Sequence, residues 1–135
     1  MLYGPITLTS DAAGTATYTS NDYLEGRLQC IYVAYDAAAP GGTDFWVYDA
    51  TKPAPAVGGI TYLAVINNNV NGVYFPRIDC CDNAGNTVFY DPIGAGNQVE
   101  VRDCYYMANP ITIDIAGLGA AGRTVTFYIY YSDFK

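Results

Sequence analysis

The side chains best suited to chemistry are concentrated in one stretch, DCCDNAGN, at residues 79–86. Adjacent Cys80 and Cys81 could supply thiolates, and Asp79, Asp82 and Asn83 bring oxygens of the kind that calcium prefers. Calcium takes roughly six to eight oxygen ligands, and the side chains of this stretch offer fewer. A four-cysteine zinc site uses paired Cys-x-x-Cys spacing, which the chain lacks. The sequence therefore favours a local structural role over a metal site.

The same stretch carries a turn motif that occurs twice in the chain. The pattern Asp-x-Ala-Gly is found at residues 11–14 and at residues 82–85, each time between runs of strand-forming residues. Aspartate at the first position accepts hydrogen bonds from backbone N–H groups ahead of it, and glycine at the fourth adopts positive φ at little cost. We therefore predict a type I turn closing into a bulge at both sites, with Asp82 and Asn83 as turn residues rather than calcium ligands.

The four cysteines, Cys30, Cys80, Cys81 and Cys104, are expected to be free thiols. The opening MLYGPITLTSD lacks the basic and long apolar regions of a signal peptide, which predicts a protein made in a cytosol, where thiols stay reduced. Neighbouring strand residues face opposite ways, so Cys80 and Cys81 cannot both enter one core. We interpret Cys30, Cys104 and at least one of the pair as small buried apolar residues, and a reactive thiol at the outward one stays open.

The residue types of common catalytic sites are scarce in this chain. Histidine is absent, which removes the most frequent general base and the usual partner of serine and cysteine nucleophiles. Most of the aspartates lie at turns or strand ends, and Asp114 alternates with isoleucines as strand pleating requires. The glycine-rich GLGAAG at residues 117–122 lacks the Lys-Ser/Thr of a phosphate-binding loop. The sequence therefore predicts neither an enzyme nor a bound metal or cofactor.

The charge balance restricts the partners. The chain has 6 Lys and Arg against 13 Asp and Glu, a net charge of −7, which argues against nucleic acid and anionic membrane surfaces as partners. No apolar run approaches the ~20 residues that span a bilayer. Charged residues make up 14% of the chain, below the usual ~25%, so we expect part of the surface to be covered by copies of the chain or by a partner.

The elements that must position these residues are short strands. The run TVTFYIYY at residues 124–131 alternates, with Val125, Phe127, Ile129 and Tyr131 pointing one way, and ITIDI at residues 111–115 does the same. No window shows a helical apolar period. We predict an all-β fold, a two-sheet antiparallel sandwich that is jelly-roll-like and has about eight to ten short strands. It forms a single domain over residues 1–135, with residues 1–5 as a possible extended N-terminal arm.

Aromatic residues are abundant, with 14 Tyr, 5 Phe and 1 Trp. Trp46 and Tyr48 share one strand face in DFWVYD, as do Tyr128 and Tyr130 in the last strand. Three interpretations stay open: tyrosines that cap the edge of the core with their hydroxyls in water, a protein interface, or a platform for sugars.

The chain resembles, over nearly all its length, a family of small tailed-bacteriophage proteins. The pieces that carry the resemblance are ITLTSDAAGTATYTS (6–20), GRL (26–28), YFPRI (74–78), DNAGN (82–86), QVEVRD (98–103) and GRTVTFYIYY (122–131). The family consists of head decoration, or cement, proteins, usually encoded beside the major capsid gene. The pair Cys80–Cys81 and the stretch KPAPAVGG (52–59) depart from the pattern.

The resemblance implies a structural virion protein without catalytic residues. It implies that the protein is made in the bacterial host cytoplasm, sits on the outer surface of the phage head and binds between major capsid protein subunits. It also implies a homo-oligomer, a trimer in preference to a dimer. The alternative is a carbohydrate- or receptor-binding β-sandwich module of a phage tail. The residues that we consider for the capsid or self interface are Leu2, Tyr3, Pro5, Lys52, Pro53, Pro55, Val57, Tyr128 and Tyr130.

Overall fold

Thirteen β-strands and no helix are found in the part of the chain that the computed structural model describes, which is residues 1–51, 60–79, 84, 86, 87, 89, 90, 99, 100 and 102–132. The strands are β1 (Leu2–Thr9), β2 (Ala16–Thr19), β3 (Leu24–Tyr35), β4 (Asp44–Asp49), β5 (Thr61–Val65), β6 (Gly72–Tyr74), β7 (Arg77–Asp79), β8 (Phe89–Tyr90), β9 (Val99–Glu100), β10 (Arg102–Cys104), β11 (Tyr106–Asn109), β12 (Ile111–Ala116) and β13 (Thr124–Ser132). The all-β prediction is confirmed.

Two larger sheets hold most of the strands, and every pairing is antiparallel. The five-stranded sheet has the order β1-β13-β3-β11, with β6 also paired to β3, and the four-stranded sheet has the order β2-β12-β4-β5. Two small ribbons, β7 with β10 and β8 with β9, lie between β6 and β11 in the chain. The run VYFPRI at residues 73–78 is divided between β6 and β7, because Pro76 has no N–H to donate to a ladder.

The core lies between the inward faces of the two larger sheets. Phe45 of β4 and Phe127 of β13 meet edge to face with ring centroids 5.2 Å apart, and Tyr74 of β6 packs on Phe45 at 5.8 Å. The alternation predicted for ITIDI is confirmed, since its three isoleucines are buried. In the last strand Val125, Phe127 and Ile129 are buried as predicted, whereas Tyr131 is half-buried and follows a shift in the pairing after Tyr130. The buried apolar residues are Ile6, Leu8, Leu24, Leu28, Ile31, Val33, Tyr35, Ala39, Phe45, Val47, Tyr62, Met107, Ile111, Ile113, Ile115, Leu118, Val125, Phe127 and Ile129.

The connection between β1 and β2 has the predicted turn. The Oδ1 atom of Asp11 accepts hydrogen bonds from the backbone N–H groups of Ala13 and Thr15, both at 2.9 Å. Gly14 donates its N–H to the Asp11 carbonyl at 3.0 Å and has a φ of 75°, which glycine adopts without strain. The predicted second turn cannot be compared in this way, because Asp82, Asn83 and Gly85 lie outside the described residues, as do Cys80 and Cys81.

This turn makes stability depend on acid pH at one carboxyl group. Hydrogen bonds from the backbone and hydroxyl of Thr15 hold the pKa of Asp11 below its ordinary value of 3.8. The stabilisation is therefore present above pH 3.8 and is lost as pH falls through the lower pKa of the folded state. We expect Asp11→Asn to lower the free energy of unfolding above this pH and to match the parent protein in stronger acid. Urea unfolding at several pH values measures the difference, and a pH-independent difference would contradict the prediction.

Residues 1–5 were considered above as an extended arm, and residues 2–5 of this stretch form the first part of β1 within the sheet. Leu2 lies opposite Tyr130, and Tyr3 lies opposite Ile129. The pairing has an irregularity between Tyr3 and Ile6, where Pro5 lies. A proline is tolerated there because an edge strand does not need every N–H for pairing. The start of the chain is therefore attached to β13 as an edge strand.

Candidate interaction surface

The outward side of the five-stranded sheet carries a continuous set of apolar side chains. Tyr128 of β13 is in register with Tyr32 of β3, which is in register with Val73 of β6. In the next row, Leu2 lies opposite Tyr130 and Tyr130 lies opposite Cys30. We call this set, together with Phe75 directly after β6, the apolar face; its members are Leu2, Cys30, Tyr32, Val73, Phe75, Tyr128 and Tyr130.

Several side chains of the apolar face are open to solvent although they are apolar. The exposed fractions are 64% for Phe75, 50% for Leu2 and Val73, and 40% for Tyr130. Tyr32 and Tyr128 are half-buried because their rings pack on each other, with centroids 5.7 Å apart and planes at 40°. Contiguous exposed apolar surface of this kind often serves as a contact surface.

One basic side chain lies at the border of the apolar face. The guanidinium of Arg77 is 5.9 Å from the ring centroid of Phe75, which is a cation–π distance. Its Nη1 atom donates to the carbonyl oxygens of Pro76 at 2.7 Å and of Gln29 at 3.1 Å. The side chain is therefore held in place by its neighbours, and its positive charge adjoins the apolar residues.

The two cysteines within the described residues are less buried than predicted. Cys30 and Cys104 are both free and half-buried; Cys30 lies on the outward side of the five-stranded sheet, and Cys104 lies in the ribbon of β7 and β10. Burial raises the pKa of the Cys30 thiol, and the nearby positive charge of Arg77 opposes that rise only in part. Cys30 therefore holds its proton more firmly than an ordinary thiol, which makes it a weaker nucleophile at neutral pH.

The apolar face collects three of the nine residues considered for an interface. Leu2, Tyr128 and Tyr130 lie on it together. Tyr3 does not, because it alternates with Leu2 along β1 and packs against the core, with its hydroxyl 2.8 Å from that of Tyr18. Burial and this hydrogen bond raise the pKa of Tyr3. Pro5 is exposed in β1, and the remaining four, Lys52, Pro53, Pro55 and Val57, lie outside the described residues.

Four members of the apolar face were not predicted from the sequence as interface residues, namely Cys30, Tyr32, Val73 and Phe75. The signal was present in the alternation of RLQCIYVAY, where Cys30, Tyr32 and Ala34 occupy the opposite face from Ile31 and the other buried positions. The same alternation in VYFPRI places Val73 and Phe75 outward and Tyr74 inward. What the sequence does not give is the register that sets these residues beside Tyr128 and Tyr130.

The outward side of the four-stranded sheet is different in kind, because its polar groups are bonded to one another. Asp114 of β12 accepts a hydrogen bond from Thr17 at 2.7 Å on Oδ1 and one from the Tyr48 hydroxyl at 2.5 Å on Oδ2. Trp46 of β4 is half-buried beside them, in register with Asp114. Both oxygens of this carboxylate are engaged by the sheet, which gives Asp114 a structural role.

The bond between Tyr48 and Asp114 predicts a loss of stability in alkali. Burial, followed by the hydrogen bond to Asp114, raises the pKa of Tyr48 from 10.0 to about 12. Stability from the protonated hydroxyl is thus complete below pH 10.0 and is lost as pH rises to about 12. We expect Tyr48→Phe to lose less stability than the parent over this interval. Urea unfolding across it measures the two slopes, and equal slopes would count against the assigned role of the bond.

The other prominent polar groups within the described residues are also engaged locally. Asp49 is buried, and its carboxylate accepts hydrogen bonds from the Asn109 amide at 2.8 Å and from the Thr51 hydroxyl at 2.6 Å. A shallow depression of about 460 Å³ beside β3 is lined by Asp36, Asn69 and their neighbours. There Asp36 accepts from the backbone N–H of Ala38, and Asn69 donates to a carbonyl. These bonds stabilise loops.

Metal and membrane features were sought in the same part of the chain. Among the described residues no group of three or more Cys, Asp or Glu side chains is placed to hold a metal ion. Those residues also include no helix of the length and apolarity needed to cross a bilayer. The apolar face is therefore the feature of the described chain that points most directly to a contact. Comparison of the chain with protein-family models, with curated proteins and with solved structures found no match.

Proposed function

We propose that this protein is a structural virion protein that decorates and stabilises the head of a tailed bacteriophage. It binds the outer surface of the capsid between major capsid protein subunits, and no catalytic step is part of its role. The single observation that carries the proposal is the apolar face, where exposed Phe75, Val73 and Tyr130 lie on a sheet whose other side is the packed core. A sheet with an apolar outward side is suited to lasting attachment to a protein surface.

The strand order supports a jelly-roll sandwich as the finer architecture. The first strand, β1, neighbours the last, β13, and the second, β2, neighbours the second last, β12. Next inward, β13 pairs with β3 and β12 pairs with β4, with β6 and β5 completing the two rows. In this nested order, strands from the start of the chain pair with strands from its end, and the pairs are divided between two facing sheets. This is the strand order of a jelly roll, a fold found in viral capsid proteins and lectins. The architecture alone does not select a function.

We propose further that the protein acts as a homo-oligomer on the shell, with a trimer preferred to a dimer. Several chains joined together bring several contacts to the capsid at once, so each contact can be weak on its own. The net charge of −7 supports a protein partner rather than nucleic acid or an anionic membrane. In this proposal the chain is made in the host cytoplasm and ends on the outside of the head.

The proposal is tested with capsid shells that lack the protein. Shells assembled from the major capsid protein of the same genome are mixed with the purified chain, imaged, and heated. We expect added density on the outer surface between capsid subunits and a higher temperature of shell disruption. Shells that gain neither density nor heat resistance would exclude the decoration role.

One observation favours a second candidate, a carbohydrate- or receptor-binding module of a phage tail. Trp46 and Tyr48 share the outward side of the four-stranded sheet, where an aromatic ring can stack on a sugar. The Tyr48 hydroxyl is engaged by Asp114, which leaves Trp46 as the main platform. Retention of the parent protein, but not of Trp46→Ala, on a column of host surface polysaccharide would support this candidate over the first.

A further inference from the structure

The apolar face consists of uncharged side chains, and one positively charged side chain, Arg77, lies at its border. None of its seven residues is acidic, and the charged side chain at its border is Arg77. Asp44, Asp49 and Asp114 belong to the four-stranded sheet on the other side of the core. In the strands of the five-stranded sheet the acidic residue is Glu25 of β3, which lies opposite Ala108 of β11, outside the apolar face, and accepts a hydrogen bond from the Tyr106 hydroxyl at 3.2 Å. In a chain with a net charge of −7, the seven residues of the apolar face are thus uncharged and are bordered by the positive charge of Arg77.

Arg77 is positioned to receive a carboxylate from a partner. A guanidinium has five N–H donors, and the two bonds that Arg77 makes to carbonyl oxygens both use Nη1. Both acceptors are neutral carbonyl oxygens, so neither bond supplies an opposite charge. The Nε and Nη2 atoms are the fork that binds a carboxylate through two parallel hydrogen bonds.

The area of the apolar face limits the affinity of a complex formed through this face alone. With aromatic side chains of roughly 150–250 Å² and somewhat smaller aliphatic ones, the four most exposed residues offer roughly 400 Å² of surface. A stable complex of standard size buries ~800 Å² on each partner. Two chains held together only by this face would therefore associate weakly, whereas an oligomer that presents several such faces to a repeating surface would bind them together.

A second copy of the chain is also a poor electrostatic match. When two identical chains meet through the same surface, the apolar face of one chain lies against the apolar face of the other. Arg77 would then lie against another face without a carboxylate, and covering a guanidinium without an opposite charge is unfavourable. The face fits a different surface, one that is apolar at its centre and acidic opposite Arg77.

From these observations we propose that the apolar face is the shell-binding surface, that it docks on an apolar patch of the capsid with a carboxylate opposite Arg77, and that chains of this protein associate with one another through other surfaces. The proposal rests on the decoration role given above and names the surface and the partner chemistry for it. It separates two activities, because changes on the apolar face remove shell binding and leave the oligomeric state as it is.

Two matched pairs of variants test the proposal. Val73→Asp puts a carboxylate on the apolar face, and Val70→Asp makes the same change at an exposed valine in the loop before β6. Arg77→Gln removes the charge at the border, and Arg123→Gln makes the same change at an arginine that donates to the Leu118 carbonyl elsewhere. Cosedimentation with shells that lack the protein measures affinity, light scattering measures the mass of the free protein, and thermal unfolding checks that each variant is folded.

We expect Val73→Asp and Arg77→Gln each to weaken shell binding by about tenfold or more, while both controls stay within about twofold of the parent. All four variants should keep the mass of the parent in solution. Binding of parent protein together with unchanged binding of both face variants would overturn this proposal and leave the decoration role standing. A fall in mass for Val73→Asp would show that the face joins copies of the chain, which also overturns it. Failure of the parent to bind shells would reject the decoration role itself.

Discussion

Replacing Phe45 with alanine is expected to lower the free energy of unfolding by about 4 kcal/mol, the largest effect of any single side chain considered for this protein. Phe45 has no solvent exposure and packs on three other rings, those of Tyr35, Tyr74 and Phe127. Phe45 belongs to the four-stranded sheet and the three rings belong to the five-stranded sheet, so the space left by alanine cannot close without moving one sheet against the other. Urea unfolding with linear extrapolation measures the loss.

The matched control for this change is Phe75→Ala. Phe75 has the same side chain but is 64% exposed on the apolar face, so its removal should alter stability by no more than about 0.5 kcal/mol. The two variants therefore separate the contribution of a phenylalanine to the core from its contribution to a contact surface. Similar losses for the two would mean that Phe45 is not at the centre of the packing between the sheets.

Replacing Gly14 with alanine is expected to cost about 3 kcal/mol or more, although it adds only one methyl group. Gly14 has a φ of 75°, and a Cβ atom there would overlap the backbone nitrogen of Gly119. Its carbonyl also accepts the N–H of Leu118 at 3.0 Å, so the loop cannot move away without breaking that bond. The turn between β1 and β2 is thereby fixed against the connection between β12 and β13. Urea unfolding measures the cost.

Gly122→Ala isolates the backbone part of this effect. Gly122 also has a positive φ, 81°, but a Cβ atom there would meet no other atom within 4 Å. Its cost should therefore be that of the conformation alone, about 1 kcal/mol. The excess for Gly14→Ala over Gly122→Ala then measures the close contact between the two loops. Equal costs would mean that the loops separate freely.

The sequence predicted the strands and their faces well because alternation is a local property. The burial of Val125, Phe127 and Ile129 follows from the order of residues in one run, as does the turn at Asp11. The strand β11, YMAN, has no β-branched residue to indicate a strand, and its conformation is set by pairing with Leu24–Arg27 of β3. Such pairing depends on residues far apart in the chain.

The apolar face was predicted only in part for the same reason. Tyr128 and Tyr130 were found together because they share one strand. Leu2 joins them because of its register with β13, whereas Tyr3, its neighbour on the strand, faces the opposite side. The residues of one strand face can thus be read from the sequence, whereas the surface that several strands build together requires their register.

The position of β13 between β1 and β3, and of β12 between β2 and β4, has a consequence for how the chain acquires its structure. Neither large sheet can be completed until β12 and β13 have been synthesised. Until then β1, β2, β3 and β4 lack one of their pairing partners and have unpaired edges. Strand pairs that are remote along the chain also form slowly, on the order of milliseconds to seconds in domains of this kind. The nascent chain is therefore most susceptible to aggregation and proteolysis before β12 and β13, residues 111–132, have been synthesised.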